Sequence, residues 1–431
     1  MFAAKNELFT RPNGGYNLTR SLRFRSSASA YLNRTFTNEQ GTYTLSLWVK
    51  RGALGVQQEI VNSRTSGAGS TSYIEFNSSD QINIQLNGTS VLTTTAVYRD
   101  PASWYHIVLR VTASATSYLY VNGTQIGSWT AGSNPFLFSN GAGYVCAIGR
   151  QGNLSAQYFD GYMAEVNYID GQALTPSSFG AFSLYNQWLP KKYGGTYGTN
   201  GFYLPFTNNA SAATLGNDFS GNSNTWTVNN ISVTTGATYD SMTDVPTLTS
   251  LTAANYSTWN PLWFIGASTF ASGNLIASCP ANNGVYTTMY VSTGKWYAEV
   301  TPSSTIGGIG VNASTGYIPV SGGSFGYNNG DYSYLYSGNK MVNNGTQTAY
   351  GASYTTNDVI GIAIDADAGT VTMYKNNVSQ GAIVTGLTGK MWVVAACSLT
   401  GTFNMTLNNG AGSGFAYTPP SGFLALNTFN L

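Results

Sequence analysis

The stretch Gln81-Ile82-Asn83-Ile84-Gln85-Leu86, followed at once by Asn87-Gly88, decides how this chain folds. Polar and apolar side chains alternate along it without a break, which is the period of a strand with one buried face. Asn-Gly tolerates the positive φ of a tight turn, so the strand must reverse into a hairpin. The pattern repeats in both directions along the chain. Tyr118-Leu119-Tyr120-Val121 runs into Asn122-Gly123, and Thr370-Val371-Thr372-Met373-Tyr374-Lys375 reaches Asn376-Asn377. Tyr43, Leu45, Leu47 and Val49 share one face of a strand ending at Lys50. Asp358 to Asp365 and Trp392 to Ala396 are nearly all apolar and read as central strands. Helix signals are scarce. Thr175-Pro176-Ser177-Ser178-Phe179 has a capping residue before a first-turn proline and predicts one or two turns. The expected class is all-β, two antiparallel β-sandwich (jelly-roll) domains.

Composition narrows the function. Of 431 residues only 8% are charged, and the net charge is +1. A protein that grips nucleic acid needs a dense basic face, so that partner is not expected. With 42% hydrophobic and 14% aromatic residues the chain is not of disordered composition. No run approaches twenty apolar residues, so no membrane span is expected. The opening Met1-Phe2-Ala3-Ala4-Lys5 lacks the apolar core of a leader, which suggests assembly in the cytoplasm where the chain is made. Cys146, Cys279 and Cys397 are too far apart for a disulfide framework or a zinc site.

Residues 1–19 read as an irregular N-terminal arm and 20–190 as the first sandwich. Residues 191–289 change in composition to Asn, Ser, Thr and Gly, punctuated by Phe202, Phe206, Trp226, Trp259 and Trp263. Aromatics at that density pack against something, so this stretch reads as an ordered, aromatic-studded connector. The second sandwich, with a C-terminal tail, is expected over 290–431.

Two families become recognisable from the strands. Leu45-Ser46-Leu47-Trp48-Val49-Lys50, Trp104 to Leu109, Leu119 to Gly123 and Phe159 to Val166 resemble the laminin-G-like, concanavalin-A-type sandwich. Gly294 to Val300, Ser324-Phe325-Gly326-Tyr327, Asp358 to Asp365 and Ala368 to Asn377 resemble a SPRY domain. The combination, with Thr196 to Phe206, Asn224 to Val228 and Thr418-Pro419-Pro420-Ser421-Gly422, is similar to structural proteins of tailed bacteriophages. That resemblance implies a virion component, exposed on the particle as a tail fibre, head fibre or capsid decoration.

Candidate chemistry is thin. Glycoside cleavage needs two carboxylates about 5–10 Å apart, and no strand carries a Glu-x-Asp or Glu-x-x-x-Glu pair, so an enzyme is not expected. The single histidine, His106, has no readable nucleophile beside it. No cofactor is expected, with calcium left open because Asp100 and Asp160 fall in loops where laminin-G-like domains can hold an ion. Sugar recognition suits the composition better, since it wants aromatic platforms beside amides and acids. The candidates are Tyr327, Asn328, Asp331, Tyr332, Tyr334 and Tyr336 in one tyrosine-rich loop, with Trp129 and Tyr158 in the first domain. Packing against another subunit would select the same tyrosines. The expected function is attachment to a host-surface glycan. The partners are other virion proteins, met through the N-terminal arm, and further copies of the chain in a homo-oligomer such as a trimer. The alternatives are a capsid-decorating role without ligand and a polysaccharide-degrading enzyme.

Overall fold

The computed structural model describes residues 16–65, 71–184, 186–247, 253–314, 330–342 and 345–431. They form two compact units. The first reaches to residue 249; the second takes the rest together with 235–237.

In the first unit one sheet orders Thr124–Thr130, Thr116–Val121, Trp104–Val111, Tyr43–Arg51, Gly161–Asp170, Ser21–Phe24 and Ser241–Met242. Phe202–Leu204 pairs with Gly161–Asp170 beside them. The other sheet orders Thr227–Asn229, Tyr31–Arg34, Val145–Ile148, Gln58–Arg64, Ser72–Phe76, Ile82–Leu86 and Thr89–Thr93. Between them lies one core, with Leu22, Leu45, Leu47, Ile107 and Met163 from the first sheet and Leu32, Val61, Ile74, Ile84 and Ile148 from the second.

Local turn chemistry sets the hairpins. Ile82–Leu86 and Thr89–Thr93 join across Asn87 and Gly88 at φ 46° and 76°. Asn122-Gly123 and Asn376-Asn377 also take positive φ at both turn residues. The expected helical turn is a single 3-10 turn, Pro176–Ser178.

Residues 191–289 are shared between the two units rather than lying between them. Phe202–Leu204, Thr227–Asn229 and Ser241–Met242 extend the first unit's sheets. Trp259–Ile265, Thr269–Ala271, Ile276–Cys279 and Gly284–Thr287 belong to the second. Phe202, Phe206 and Trp226 enter the first core, which accounts for the aromatic density.

The same stretch covers the outer face of the first sheet. Asp240 accepts from Arg23 Nε at 3.0 Å and Arg25 Nε at 2.8 Å. Lys50 meets Asp244 at 2.8 Å, and Trp104 Nε1 donates to the same carboxylate at 3.1 Å. All nine residues of Tyr43–Arg51 are buried although their sequence alternates. Lys50 lies under this stretch, and Thr44, Ser46 and Trp48 lie under Gln172 and the His106–Trp188 pair.

The second unit is also two sheets. One orders Trp259–Ile265, Gly284–Thr287, Met391–Ser398, Gly307–Ser314, Asp331–Leu335, Asn339–Val342 and Thr346–Ala349. The other orders Thr269–Ala271, Ile276–Cys279, Phe403–Asn408, Lys295–Pro302, Ile360–Asp365, Thr370–Lys375 and Val378–Val384. Leu424–Ala425 adds a short parallel pairing to Lys295–Pro302. Glu299 draws the tail inward by accepting from the Ala416 and Tyr417 N–H groups at 2.7 and 3.0 Å.

Candidate functional site

The outer face of the second sheet in the first unit is mostly polar, with Val145 and Ala147 of the strand Val145–Ile148 as apolar members. Strand alternation sends Leu32, Val61, Ile74 and Ile84 inward, so their neighbours must point outward. Cross-strand register then aligns Asn229 with Tyr31, Asn62 with Tyr73, Tyr73 with Gln85, and Glu75 with both Glu59 and Asn83. Hydrogen bonds run across the strands. Asn229 donates to Asn33 at 2.7 Å, Asn83 to Glu75 at 2.8 Å, and Thr93 to Asn83 at 2.9 Å. Tyr31, Tyr73, Asn83, Gln85 and Tyr158 are half-buried.

Residues 150–158 lie over part of this face. The Gly152 N–H donates to Asn62 Oδ1 at 2.7 Å, and Gln151 Nε2 reaches Glu59 Oε1 at 3.3 Å. A Cβ on Gly152 would stand 2.5 Å from the Val145 carbonyl oxygen and 2.7 Å from Asn62 Oδ1. Gly152→Ala is therefore expected to push the loop off the sheet and cost about 1–3 kcal/mol, read as a lowered melting temperature.

At the centre of the face two carboxyl groups meet. Glu59 and Glu75 are partners on adjacent strands, 1% and 2% exposed. Paired side chains in such a register have Cβ atoms about 4.5–5.5 Å apart. Glu75 accepts from Gln57 at 2.7 Å and Asn83 at 2.8 Å, while Glu59 Oε2 has no partner. Burial, and then the neighbouring Glu75, push the Glu59 carboxyl up to about 8. Spacing along one strand does not reveal this pair, because its members lie on different strands. Gln157 Oε1 is likewise buried without a partner.

At one end of the face the Arg150 guanidinium lies 3.6 Å from the centroid of the Tyr31 ring. Tyr158 stands 6.4 Å from Tyr31, centroid to centroid. Burial pushes the Tyr158 phenol up, but hydrogen bonds with Arg150, Ser29 and Ser155 and the Arg150 charge hold it below its ordinary value.

Of the residues expected from sequence, Tyr158 belongs to this site and Trp129 does not. Trp129 lies in the edge strand Thr124–Thr130 of the other sheet, packed against the core. Tyr327 and Asn328 lie outside the described residues. Asp331 and Tyr334 are fully buried, which corrects their assignment to a recognition loop. Both sit in the strand Asp331–Leu335, where Asn312 donates to Asp331 at 2.6 Å. The Tyr334 hydroxyl is taken by the Ala352 carbonyl. Tyr332 and Tyr336 are half-buried.

The two calcium candidates serve their own surroundings. Asp100 accepts from the Ala102 N–H at 2.9 Å and from the Ser103 hydroxyl. Asp160 accepts from the Ser26 N–H and hydroxyl at 3.1 and 2.9 Å. Among the described residues no group of three or more His, Cys, Asp or Glu side chains is placed to hold a metal.

His106 is structural in its contacts. Trp188 Nε1 donates to its Nδ1 at 2.9 Å, which puts the imidazole proton on Nε2, facing Ser46 Oγ at 2.9 Å. Burial holds it down to about 3, and it stacks on Trp48 at 4.7 Å.

Residues 24–178 match the family described as the concanavalin A-like lectin/glucanases superfamily, and residues 295–412 match the SPRY domain family. No curated protein matches the chain. Among solved structures, the SPRY domain of human HERC1 is 16% identical with a TM-score of 0.31, over 35% of this chain and 96% of that one. The TRIM65 PSpry domain is 15% identical with a TM-score of 0.30, over 36% of this chain and 92% of that one. A Bacteroides ovatus protein provisionally described as carbohydrate-binding is 16% identical with a TM-score of 0.38, over 50% of this chain and 59% of that one.

Proposed function

From a chain that carries a laminin-G-like, concanavalin A-type domain followed by a SPRY domain, we propose a glycan-attachment protein displayed on a tailed-phage particle. The observation that carries the sugar reading is the polar face of the second sheet. It offers half-buried Tyr73 beside Asn83 and Gln85, and, across the sheet beyond the strands Gln58–Arg64 and Val145–Ile148, half-buried Tyr31 and Tyr158 beside Arg150. Sugars present apolar ring faces and dense hydroxyls, which such a surface complements. The lectin-type family of the first domain supports the same reading.

In this reading the protein binds polysaccharide and does not cleave it. The Glu59–Glu75 pair stays enclosed and serves the sheet. The virion placement is supported by the resemblance of the connecting and terminal segments to phage structural proteins. Residues 1–19 then dock on a neighbouring virion subunit, and several copies assemble together. Clustering matters, because a millimolar contact is worth only about −4 kcal/mol, and linked sites gain roughly 10²- to 10⁴-fold.

The test is a glycan array probed with the full chain, followed by titration of Tyr31→Ala and Tyr73→Ala. Each substitution is expected to weaken binding roughly tenfold. A protein that binds no polysaccharide would leave the decoration role without ligand as the better account. Release of reducing sugar would revive the enzyme. Antibody labelling of intact particles in the electron microscope tests the placement, and unlabelled particles would end it.

A further inference from the structure

Four cationic side chains are buried among the described residues: Arg23, Lys50, Arg51 and Arg150. Three of them face a carboxylate. Arg23 is 3.0 Å from Asp240, Lys50 2.8 Å from Asp244, and Arg51 2.9 Å from Asp80. Arg150, 8% exposed, forms no ion pair among the described residues. Its Nη1 donates to the Ser155 hydroxyl at 2.9 Å, the guanidinium also hydrogen-bonds the Tyr158 phenol, its plane lies over Tyr31, and its Nε has no partner.

A buried charge without a counter-charge is costly, and the other three cations show how this fold ordinarily meets that cost. Stacking on Tyr31 holds the guanidinium flat, and Ser155 and Tyr158, both neutral, take hydrogen bonds from it without bringing a counter-charge. Glu59 and Glu75, on the same face, are engaged with Gln151, Gln57 and Asn83 instead.

We propose that Arg150 receives the carboxylate of an acidic sugar, so that the polar face selects uronate-containing polysaccharides. The inference rests on the sugar-binding reading above and names its ligand class. A planar carboxylate matches the guanidinium fork and brings the missing negative charge. Tyr158, 6.4 Å from Tyr31 centroid to centroid, flanks that position as a platform for the ring that bears it.

The experiment titrates the full chain with oligomers of galacturonate, alginate and hyaluronan, each beside its carboxyl-reduced form. At least one acidic oligomer is expected to bind roughly tenfold to a hundredfold more tightly than its reduced form, with the difference shrinking as salt rises. Arg150→Gln is expected to abolish that preference. Arg150→Lys, which keeps the charge and loses the fork, is expected to retain only part of it. Unchanged melting of both variants guards against loss of fold.

Equal affinity for acidic and reduced oligomers would overturn the inference and leave the sugar-binding reading standing. So would a preference that survives in Arg150→Gln. Binding of neither class, here and on the array, would overturn both.

Discussion

Asp240→Ala is expected to destabilise the first unit by about 3–5 kcal/mol, the usual cost of stranding a buried charge. Asp240 is wholly buried and holds two cations, Arg23 and Arg25, together with the Ser232 N–H at 2.9 Å. Removing it leaves Arg23, itself 2% exposed, facing the gap. For a unit of this size the melting temperature should fall by roughly 6–20 °C. The loss should be accompanied by faster proteolysis between residues 230 and 247, because this carboxylate ties that segment to the sheet. A control separates charge from packing. Lys50→Met combined with Asp244→Leu should cost less than either substitution alone, since an apolar pair leaves no orphaned charge. A melt of Asp240→Ala indistinguishable from wild type would show that this carboxylate does not hold the segment.

Glu59→Gln is expected to stabilise the protein at pH 8 and to change the pH dependence of stability. Glu59 titrates near 8 in the fold against an ordinary value of 4.5, because burial and Glu75 disfavour its charge. Folding therefore binds a proton. The associated stability is fully present below about pH 4.5 and is lost as pH rises towards about 8. The slope is about 1.4 kcal/mol per pH unit for each such group. Glu165, pushed up to about 7 by burial, adds a second proton over the lower part of that window. Between pH 7 and 8 the decline belongs mainly to Glu59, so Glu59→Gln should be nearly flat there while wild type still falls. Denaturant titrations at unit pH steps would read this, and parallel curves for the two proteins would refute it.

Much of the fold was legible because its instructions are local. Asn87-Gly88, Asn122-Gly123 and Asn376-Asn377 state where hairpins turn, and the alternating runs beside them state which side chains go inward. Phe202–Leu204, Thr227–Asn229 and Ser241–Met242 carry no such statement. At two or three residues each they are too short to show a period, and their partners lie far away in sequence. By composition the stretch therefore reads as a connector, although most of its first half belongs to the first sandwich.

The site was less legible. Glu59 and Glu75 face each other only because two strands pair in one register, and spacing along the chain does not encode that register. Asp331 and Tyr334 looked exposed because tyrosines at alternate positions suit a surface as well as a core. The solitude of Arg150 is harder still to read, since it is defined by a carboxylate that three other buried cations have and it lacks.

The strap over the first sheet also defines the smallest piece that can be moved intact. The family match ends at residue 178, but Arg23, Lys50 and Trp104 find their partners at Asp240 and Asp244. A graft cut at the family boundary would carry a sheet whose outer face holds buried cations and an indole prepared for a cover left behind. The transferable module runs on through the strap, and swaps between proteins should be made beyond Asp244.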